Sequence, residues 1–177
     1  PMVTPEMIKA AIQPLLVEKN VTVSNLMADI GSDEEFEDPN EIKVIVNGHN
    51  SAMYFSREPI PSRKKSVEDI LMLKQICVIP FRRDYLLEFN KTPETPLERI
   101  ESVDMLRVLE SGGAVRMAMT DHPSMSVDTP QDLEIVEKMM IGDPDRSKSM
   151  GNDQVGSLKC PEYHGSLFFP LFSINFF

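Results

Sequence analysis

The strongest constraint on the fold is a hairpin pattern in the segment 42–56. Hydrophobic residues recur at every second position from Ile42 to Val46, which is the side-chain period of a β-strand. Asn47-Gly48 supplies the residue types that a tight turn between two strands requires. Residues 51–56 then have the composition of a returning strand. The pattern therefore predicts an antiparallel strand pair in the first third of the chain.

Helix patterns lie on both sides of this hairpin. Thr4-Pro5 combines a capping residue with proline at the first helical position, and apolar residues follow at helical spacing up to Leu16. Thr95-Pro96-Leu97-Glu98 is a capping box and predicts one helix from Leu97 to Ser111, ended by Gly112-Gly113. Asp128-Thr129-Pro130 predicts the start of a last helix.

Shorter elements fill the intervals between these features. The remaining predicted segments are strands at 21–23, 73–81 and 114–120, a short helix at 82–90 and an acidic loop at 33–40. The segment 142–177 is interpreted as a polar linker with an apolar tail, and that tail is too short to cross a membrane.

Composition limits the class of protein. A chain of 177 residues can bury one substantial core, and its 41% hydrophobic residues are typical of globular domains. The formal net charge of -10 argues against a nucleic-acid partner, which would require basic clustering. Cys77 and Cys160 are too few for a disulfide framework, and no basic-plus-apolar leader is present, so a cytoplasmic location is expected.

Several segments, taken in order, resemble one enzyme family. Tyr54-Phe55-Ser56-Arg57-Glu58-Pro59-Ile60-Pro61 is similar to a signature of the 3-deoxy-manno-octulosonate (Kdo) cytidylyltransferases. The pairs Leu97-Glu98 and Leu106-Arg107 resemble a helix of that family, and Val127-Asp128-Thr129-Pro130 resembles its late motif. Asp38-Pro39-Asn40 agrees with a further segment. The order and spacing of these segments make the resemblance specific over residues 1–140.

The resemblance implies an α/β fold, a three-layer sandwich with a mostly parallel sheet. Residues 1–141 would be the C-terminal part of the catalytic domain, with about 54–90 used for dimerisation, so a homodimer is expected. The implied reaction joins CTP to an acidic sugar, Kdo or a related octulosonic or nonulosonic acid, and gives a CMP-sugar and pyrophosphate. Mg²⁺ is the implied cofactor, and no membrane partner is expected.

The resemblance also places candidate site residues. Asp128 would be a Mg²⁺ ligand, although its position equally suits a helix cap. Ser56 and Arg57 would lie beside the sugar, where an arginine fork can hold a carboxylate, but Arg57 also suits a surface ion pair. Asn40 and Lys43 could reach polar substrate groups, and for Lys43 the favoured interpretation is a solvent-facing strand residue.

The chain departs from the family at four positions of the sugar pocket. Gln75 and Ile79 stand where the family has histidine and tyrosine, and Asp104-Met105 stands where it has glutamate and glutamine. Gln75 and Asp104 can still hydrogen-bond a hydroxyl, whereas Ile79 and Met105 cannot donate to one. An altered sugar pocket is therefore expected.

The first half of the family fold has no counterpart in the residues of this chain. Pro1 aligns with the proline of a family glutamate-proline motif, and the eight glycines form no phosphate-binding loop. This chain alone is therefore expected to be inactive. The alternative interpretation is a non-catalytic dimerisation or regulatory module derived from the same fold.

Overall fold

The structure is a computed structural model that describes residues 3–65, 71–122, 127 and 130–141, together with the backbone of residues 167–168. The helices are α1 (Pro5–Val17), α2 (Asp33–Glu37), α3 (Arg83–Phe89), α4 (Pro96–Glu101), α5 (Met105–Glu110) and α6 (Pro130–Ile141). The strands are β1 (Ser24–Asp29), β2 (Lys43–Val46), β3 (Ala52–Ser56), β4 (Leu73–Ile76), β5 (Phe81–Arg82), β6 (Arg116–Met119) and β7 (Leu167–Phe168). None of the helices within these ranges is both long and apolar enough to cross a membrane.

Five strands form one mixed sheet in the order β3-β2-β4-β1-β6. The predicted hairpin is confirmed, since β2 and β3 pair antiparallel around the Asn47-Gly48 turn. The prediction of a mostly parallel sheet is wrong for this chain, because only β1 and β6 pair in parallel. Parallel neighbours need a long crossover connection. Among the described strands, the parallel pair β1 and β6 is joined by the long segment 30–115, which contains α2 to α5 and β2 to β5.

Hydrophobic side chains from the two faces of the sheet form two clusters. Leu26 and its neighbour Ile76 pack with Met7 and Ala11 of α1. The next residue of β1, Met27, points to the opposite face and belongs to a larger cluster that includes Met105 and other residues of α5. Adjacent residues of one strand therefore bind helices on opposite faces, which explains why β1 is buried along most of its length.

The single helix predicted from Leu97 to Ser111 is wrong, because the structure divides it into α4 and α5. Ser102 has a φ of 52° and ends α4 in the left-handed conformation. Asp104 then precedes the first residue of α5. The apolar spacing continues across the break, so the sequence pattern gave no sign of it. The break turns Val103 and Met105 into the larger cluster.

Three other segments differ from their predictions. The strand predicted at 21–23 lies instead at Ser24–Asp29 as β1, and Val23 forms only an isolated bridge with Phe81. The acidic loop at 33–40 contains α2, which Ser32 caps by accepting a hydrogen bond from the Glu35 N–H at 3.1 Å. The strand predicted over 73–81 is split into β4 and the two-residue β5. Beyond Gly142, the description is limited to the backbone of β7, which pairs antiparallel with β5.

Candidate functional site

The Glu101 carboxylate is the centre of a hydrogen-bond cluster at the end of β3. The Ser56 hydroxyl donates to Glu101 Oε1 at 2.9 Å, and the Tyr54 hydroxyl donates to the same oxygen at 3.2 Å. The Arg57 backbone N–H donates to Glu101 Oε2 at 2.8 Å. These bonds join the end of β3 to the last residue of α4. We call Tyr54, Ser56, Arg57 and Glu101 the Glu101 cluster.

The side chain of Arg57 binds backbone carbonyls. Its Nε donates to the carbonyl of Glu101 at 2.7 Å, and Nη1 donates to the carbonyl of Pro39 at 2.9 Å. Nη2 lies 3.4 Å from the carbonyl of Ser102. The predicted contact of Arg57 with a sugar carboxylate stays a prediction, and it must use the donors that these carbonyls leave free. In the structure, Arg57 ties the turn at Pro39 to the break between α4 and α5.

Lys43 is completely buried, so its interpretation as a solvent-facing strand residue is wrong. Its Nζ donates to the carbonyls of Asp38 and Glu41 at 2.8 and 2.7 Å. Burial lowers the pKa of the Lys43 ammonium, and the nearby carboxylates of Asp38 and Glu41 oppose that shift. The residue faces inward because the turn that follows α2 folds over the start of β2 and presents its carbonyls to the ammonium.

Asn40 is exposed on the turn that Lys43 and Arg57 hold. Its backbone N–H donates to the Asp38 carboxylate at 2.8 Å, which closes the turn locally. Carbonyls at positions 38, 39 and 41 all accept from the two buried or half-buried cations. The structure therefore places three of the predicted substrate residues, Asn40, Lys43 and Arg57, in one region together with Ser56.

Gln75 and Asp104 occupy different environments. Gln75 is buried in β4, where its backbone N–H donates to the Ile42 carbonyl at 2.8 Å and its side-chain Oε1 has no hydrogen-bond partner among the described residues. Asp104 lies just before α5, between the buried residues Val103 and Met105. Desolvation of the carboxyl group raises the pKa of Asp104, and the nearby Glu98 carboxylate raises it further.

The pair Glu98–Arg107 fixes α4 against α5. Arg107 Nε donates to Glu98 Oε2 at 2.7 Å, and a second bond joins Arg107 Nη2 to Glu98 Oε1. Glu98 also accepts the Thr95 backbone N–H, which completes the predicted capping box. The Arg107 hydrogen bonds hold the pKa of Glu98 below its usual range. Both residues belong to the segments that carried the resemblance, and their contacts here are structural.

The predicted Mg²⁺ ligand, Asp128, lies outside the described residues. Within the residues that the structure does describe, no group of histidine, cysteine, aspartate or glutamate side chains is arranged to hold a metal ion. The role of Asp128 as a metal ligand or as a helix cap therefore stays a prediction.

Two of the cavities in the described part of the chain lie away from the predicted site residues. One, of about 290 Å³, lies between α3 and α5 beside Phe89 and Arg107. The other, of about 750 Å³, is an open groove beside Phe36, Pro59 and Arg63.

Sequence reasoning missed Glu101 and Asn25. Glu101 carries no distinct signal, because it follows Glu98 on a helix with several charged residues. Asn25 gave a signal that went unused, since an amide between Ser24 and Leu26 interrupts a buried strand. Its side chain is completely buried.

This chain is similar to known proteins in both sequence and fold. The chain is 39% identical over 150 residues to the 3-deoxy-manno-octulosonate cytidylyltransferase of Syntrophotalea carbinolica, which covers 80% of this chain and 60% of that protein. The enzyme of the same name from Solibacter usitatus is 38% identical, and the match covers 78% of this chain and 55% of that protein. The solved structure of CMP:2-keto-3-deoxy-manno-octonic acid synthetase complexed with CTP has a TM-score of 0.73 and 33% identity, over 80% of this chain and 58% of that one.

The chain thus spans somewhat more than half of the length of these relatives. The family model described as cytidylyltransferase matches residues 1–121, which include the Glu101 cluster, Lys43, Gln75 and Asp104. Because this match covers most of the chain, the chain belongs to the cytidylyltransferase family.

Proposed function

We propose that the protein containing this chain transfers CMP from CTP to an acidic sugar, Kdo or a related octulosonic or nonulosonic acid, and releases pyrophosphate. The relatives and the solved structure that match the chain carry this activity or CTP in their names. The chain spans only part of those proteins, so the proposed activity is that of the whole protein. Stand-alone activity of residues 1–177 is expected to be low.

The observation that carries the proposal is the Glu101 cluster. It joins the end of β3 to the break between α4 and α5, and Asp104 is the last residue of that break. Arg57 binds carbonyls on both sides of this junction. Asn40 and Asp104, which the resemblance assigns to the sugar, are therefore held by one set of contacts, and a fixed geometry is what substrate positioning requires.

The proposed roles follow from the chemistry of each group. Ser56 and the free donors of Arg57 would bind the carboxylate of the sugar, since charged hydrogen bonds to a carboxylate are strong. Gln75 and Asp104 would bind sugar hydroxyls. The Asp104 carboxylate can accept a hydrogen bond from a sugar hydroxyl.

A divalent cation belongs to the proposal through Asp128. The described residues supply no cation site of their own, so Mg²⁺ would depend on Asp128 and on residues outside the described ranges. When bound, Mg²⁺ would offset negative charge on the phosphate oxygens of CTP. We also propose that the whole protein is a homodimer with a three-layer sandwich fold.

The test is pyrophosphate release by the full-length product of the gene that encodes this chain. Kdo and N-acetylneuraminate are each supplied with CTP and Mg²⁺, and a phosphate-coupled assay follows the reaction. Release should require both CTP and one acidic sugar, and EDTA should abolish it. Glu134→Gln changes an exposed position of α6 and should release pyrophosphate at the same rate as the wild type. A folded protein that releases no pyrophosphate with either sugar contradicts the proposal.

The second candidate function is a dimerisation or regulatory module. The observation that favours it is the replacement of hydrogen-bonding pocket residues by Ile79 and by the completely buried Met105. Calorimetric titration of the full-length protein with CTP and Mg²⁺ separates the two functions. An enzyme binds CTP, and a module without a nucleotide site gives no heat of binding.

A further inference from the structure

Asn25 is a buried amide in the middle of β1. The residue has no exposed surface, and neither its Nδ2 nor its Oδ1 has a hydrogen-bond partner among the described residues. A buried side-chain amide without partners is unfavourable, because it loses its hydrogen bonds to water and gains nothing in return. Most such groups in folded proteins are satisfied, so an exception calls for a partner other than the residues that the structure describes.

The backbone places Asn25 opposite Ile79. The Ser24 N–H donates to the Pro80 carbonyl at 3.1 Å, and the Leu26 N–H donates to the Val78 carbonyl at 3.2 Å. Asn25 lies between these two bonds on its strand, as Ile79 does on the other segment. Ile79 packs against the larger cluster and is half-buried, so part of its surface is in contact with solvent. The solvent boundary on this face of the sheet is therefore close to Asn25.

Gln75 shares the same face of the sheet. It pairs with Met27 in the antiparallel register of β1 and β4, and Met27 is two residues from Asn25. Side chains two residues apart on a strand point to the same side. Gln75 Oε1 is also buried without a partner in the described part of the chain. Two carboxamides with unsatisfied atoms therefore face the same side of adjacent strands.

The surroundings of this pair are apolar. Val23, Met27 and Met117 flank Asn25 in the sheet, and all three are buried members of the larger cluster. Carbon and sulfur atoms cannot replace the missing hydrogen bonds. A ligand with hydroxyl groups can replace them, because each carboxamide offers both donor and acceptor sites to a hydroxyl.

We propose that Asn25 is a specificity-determining residue that, with Gln75, binds a hydroxyl of the acidic sugar. The Asn25 amide would supply a polar group next to Ile79, which stands where the resemblance places a tyrosine of the sugar pocket. The inference rests on the proposed function, and it assigns to the sugar site a residue that the family motifs in this sequence do not include. A site built around buried amides discriminates strongly against sugars that lack the matching hydroxyl, since the amides are then left unpaired.

The test uses the full-length gene product and its Asn25→Ala variant. Asn90→Ala is the matched control, because Asn90 is exposed at the end of α3. Initial rates are measured against Kdo and against N-acetylneuraminate, each at saturating CTP, and then against CTP at saturating sugar. Asn25→Ala should raise the KM for the preferred sugar by about tenfold, which corresponds to the loss of one or two neutral hydrogen bonds. The KM for CTP should stay the same.

Thermal denaturation with and without the sugar gives a readout that does not need turnover. Saturating sugar should raise the Tm of the wild type and of Asn90→Ala, and it should raise the Tm of Asn25→Ala much less. Asn25→Ser, which keeps one hydroxyl, should be intermediate in both measurements and replaces the alanine variant if that variant does not fold.

The outcomes separate the inference from the proposed function. A wild type that binds the sugar without releasing pyrophosphate contradicts the proposed function, and the sugar-dependent Tm shift then still tests Asn25. An unchanged sugar KM and Tm shift in Asn25→Ala, with a lower Tm in the absence of sugar, would show an amide bound to an enclosed water and would overturn the inference. A wild type that binds neither sugar rejects both.

Discussion

At the scale of single residues, Glu101 and Arg57 perform complementary tasks. The Glu101 carboxylate accepts three hydrogen bonds from the end of β3, and the Arg57 guanidinium donates to carbonyls on both sides of that junction. Hydrogen bonds to a charged group contribute more than neutral ones. Glu101 is therefore expected to contribute to stability as well as to the geometry around Asp104.

We predict that Glu101→Ala lowers the free energy of unfolding by about 2–3 kcal/mol, because the Ser56 hydroxyl and the Arg57 N–H lose their acceptor. Urea denaturation followed by circular dichroism measures the change. Glu94→Ala, at an exposed position before α4, is the control and should shift the free energy by less than about 0.5 kcal/mol. A Glu101 variant as stable as this control would show that the cluster contributes no net stability.

At the scale of elements, α4 and α5 act as one unit although the chain breaks between them. Ser102 gives the chain its turn, and the Glu98–Arg107 pair holds the two helices together across it. The side chains of Glu98 and Arg107 are only 9% and 15% exposed. Breaking one partner of so buried a pair leaves the other charge without compensation.

We predict that Glu98→Gln destabilises the protein by about 3 kcal/mol at pH 7. The folded-state pKa of Glu98 is lowered from 4.5, so the stabilisation is present above the unfolded-state value and disappears as the pH falls through the folded-state value. The difference between wild type and variant should therefore be constant above about pH 5 and shrink in more acidic solution. Urea denaturation at several pH values measures it.

Glu134→Gln, on the exposed side of α6, serves as the control for this pH series and should follow the wild type at every pH. If the deficit of Glu98→Gln instead persisted unchanged down to pH 3, ionisation of Glu98 would not be its source. The capping bond from the Thr95 N–H would then account for the effect.

At the scale of the whole molecule, the described hydrophobic clusters lie within one continuous segment. Their buried members extend from Met7 to Met117, and Val136 of α6 is buried outside both clusters. The composition of residues 142–177 predicts a polar linker with an apolar tail, and β7 pairs with β5 through two residues. On that interpretation, the stability of the chain is expected to reside in residues 3–141.

We predict that a chain ending at Ile141 unfolds with a free energy within about 1 kcal/mol of the 177-residue chain, because a two-residue strand pair contributes little. Urea denaturation of the two chains side by side measures the difference. A loss of several kcal/mol on truncation would show that residues 142–177 belong to the folded unit, and the interpretation of this segment as linker and tail would then be wrong.

Much of the local structure was predictable from the sequence. The hairpin at 42–56 and the capped start of α4 follow from turn and capping residues, because these act over four or five neighbouring positions. The family followed from motifs in the same segments, and the cytidylyltransferase match confirms it. Local signals of this kind do not depend on the rest of the fold.

The sequence by itself determined the β2–β3 hairpin, the capped starts of α1 and α4, and the family. Only the tertiary structure decided that β4 pairs antiparallel with both of its neighbours and that the helix breaks at Ser102. It also decided that Lys43 is buried and that the Asn25 amide has no hydrogen-bond partner among the described residues. Each of these depends on which distant segment packs against a residue. Glu101, the hydrogen-bond partner of Ser56, lies 45 positions away and is brought to it by that packing, so a pattern of neighbouring residues carries no information about the contact.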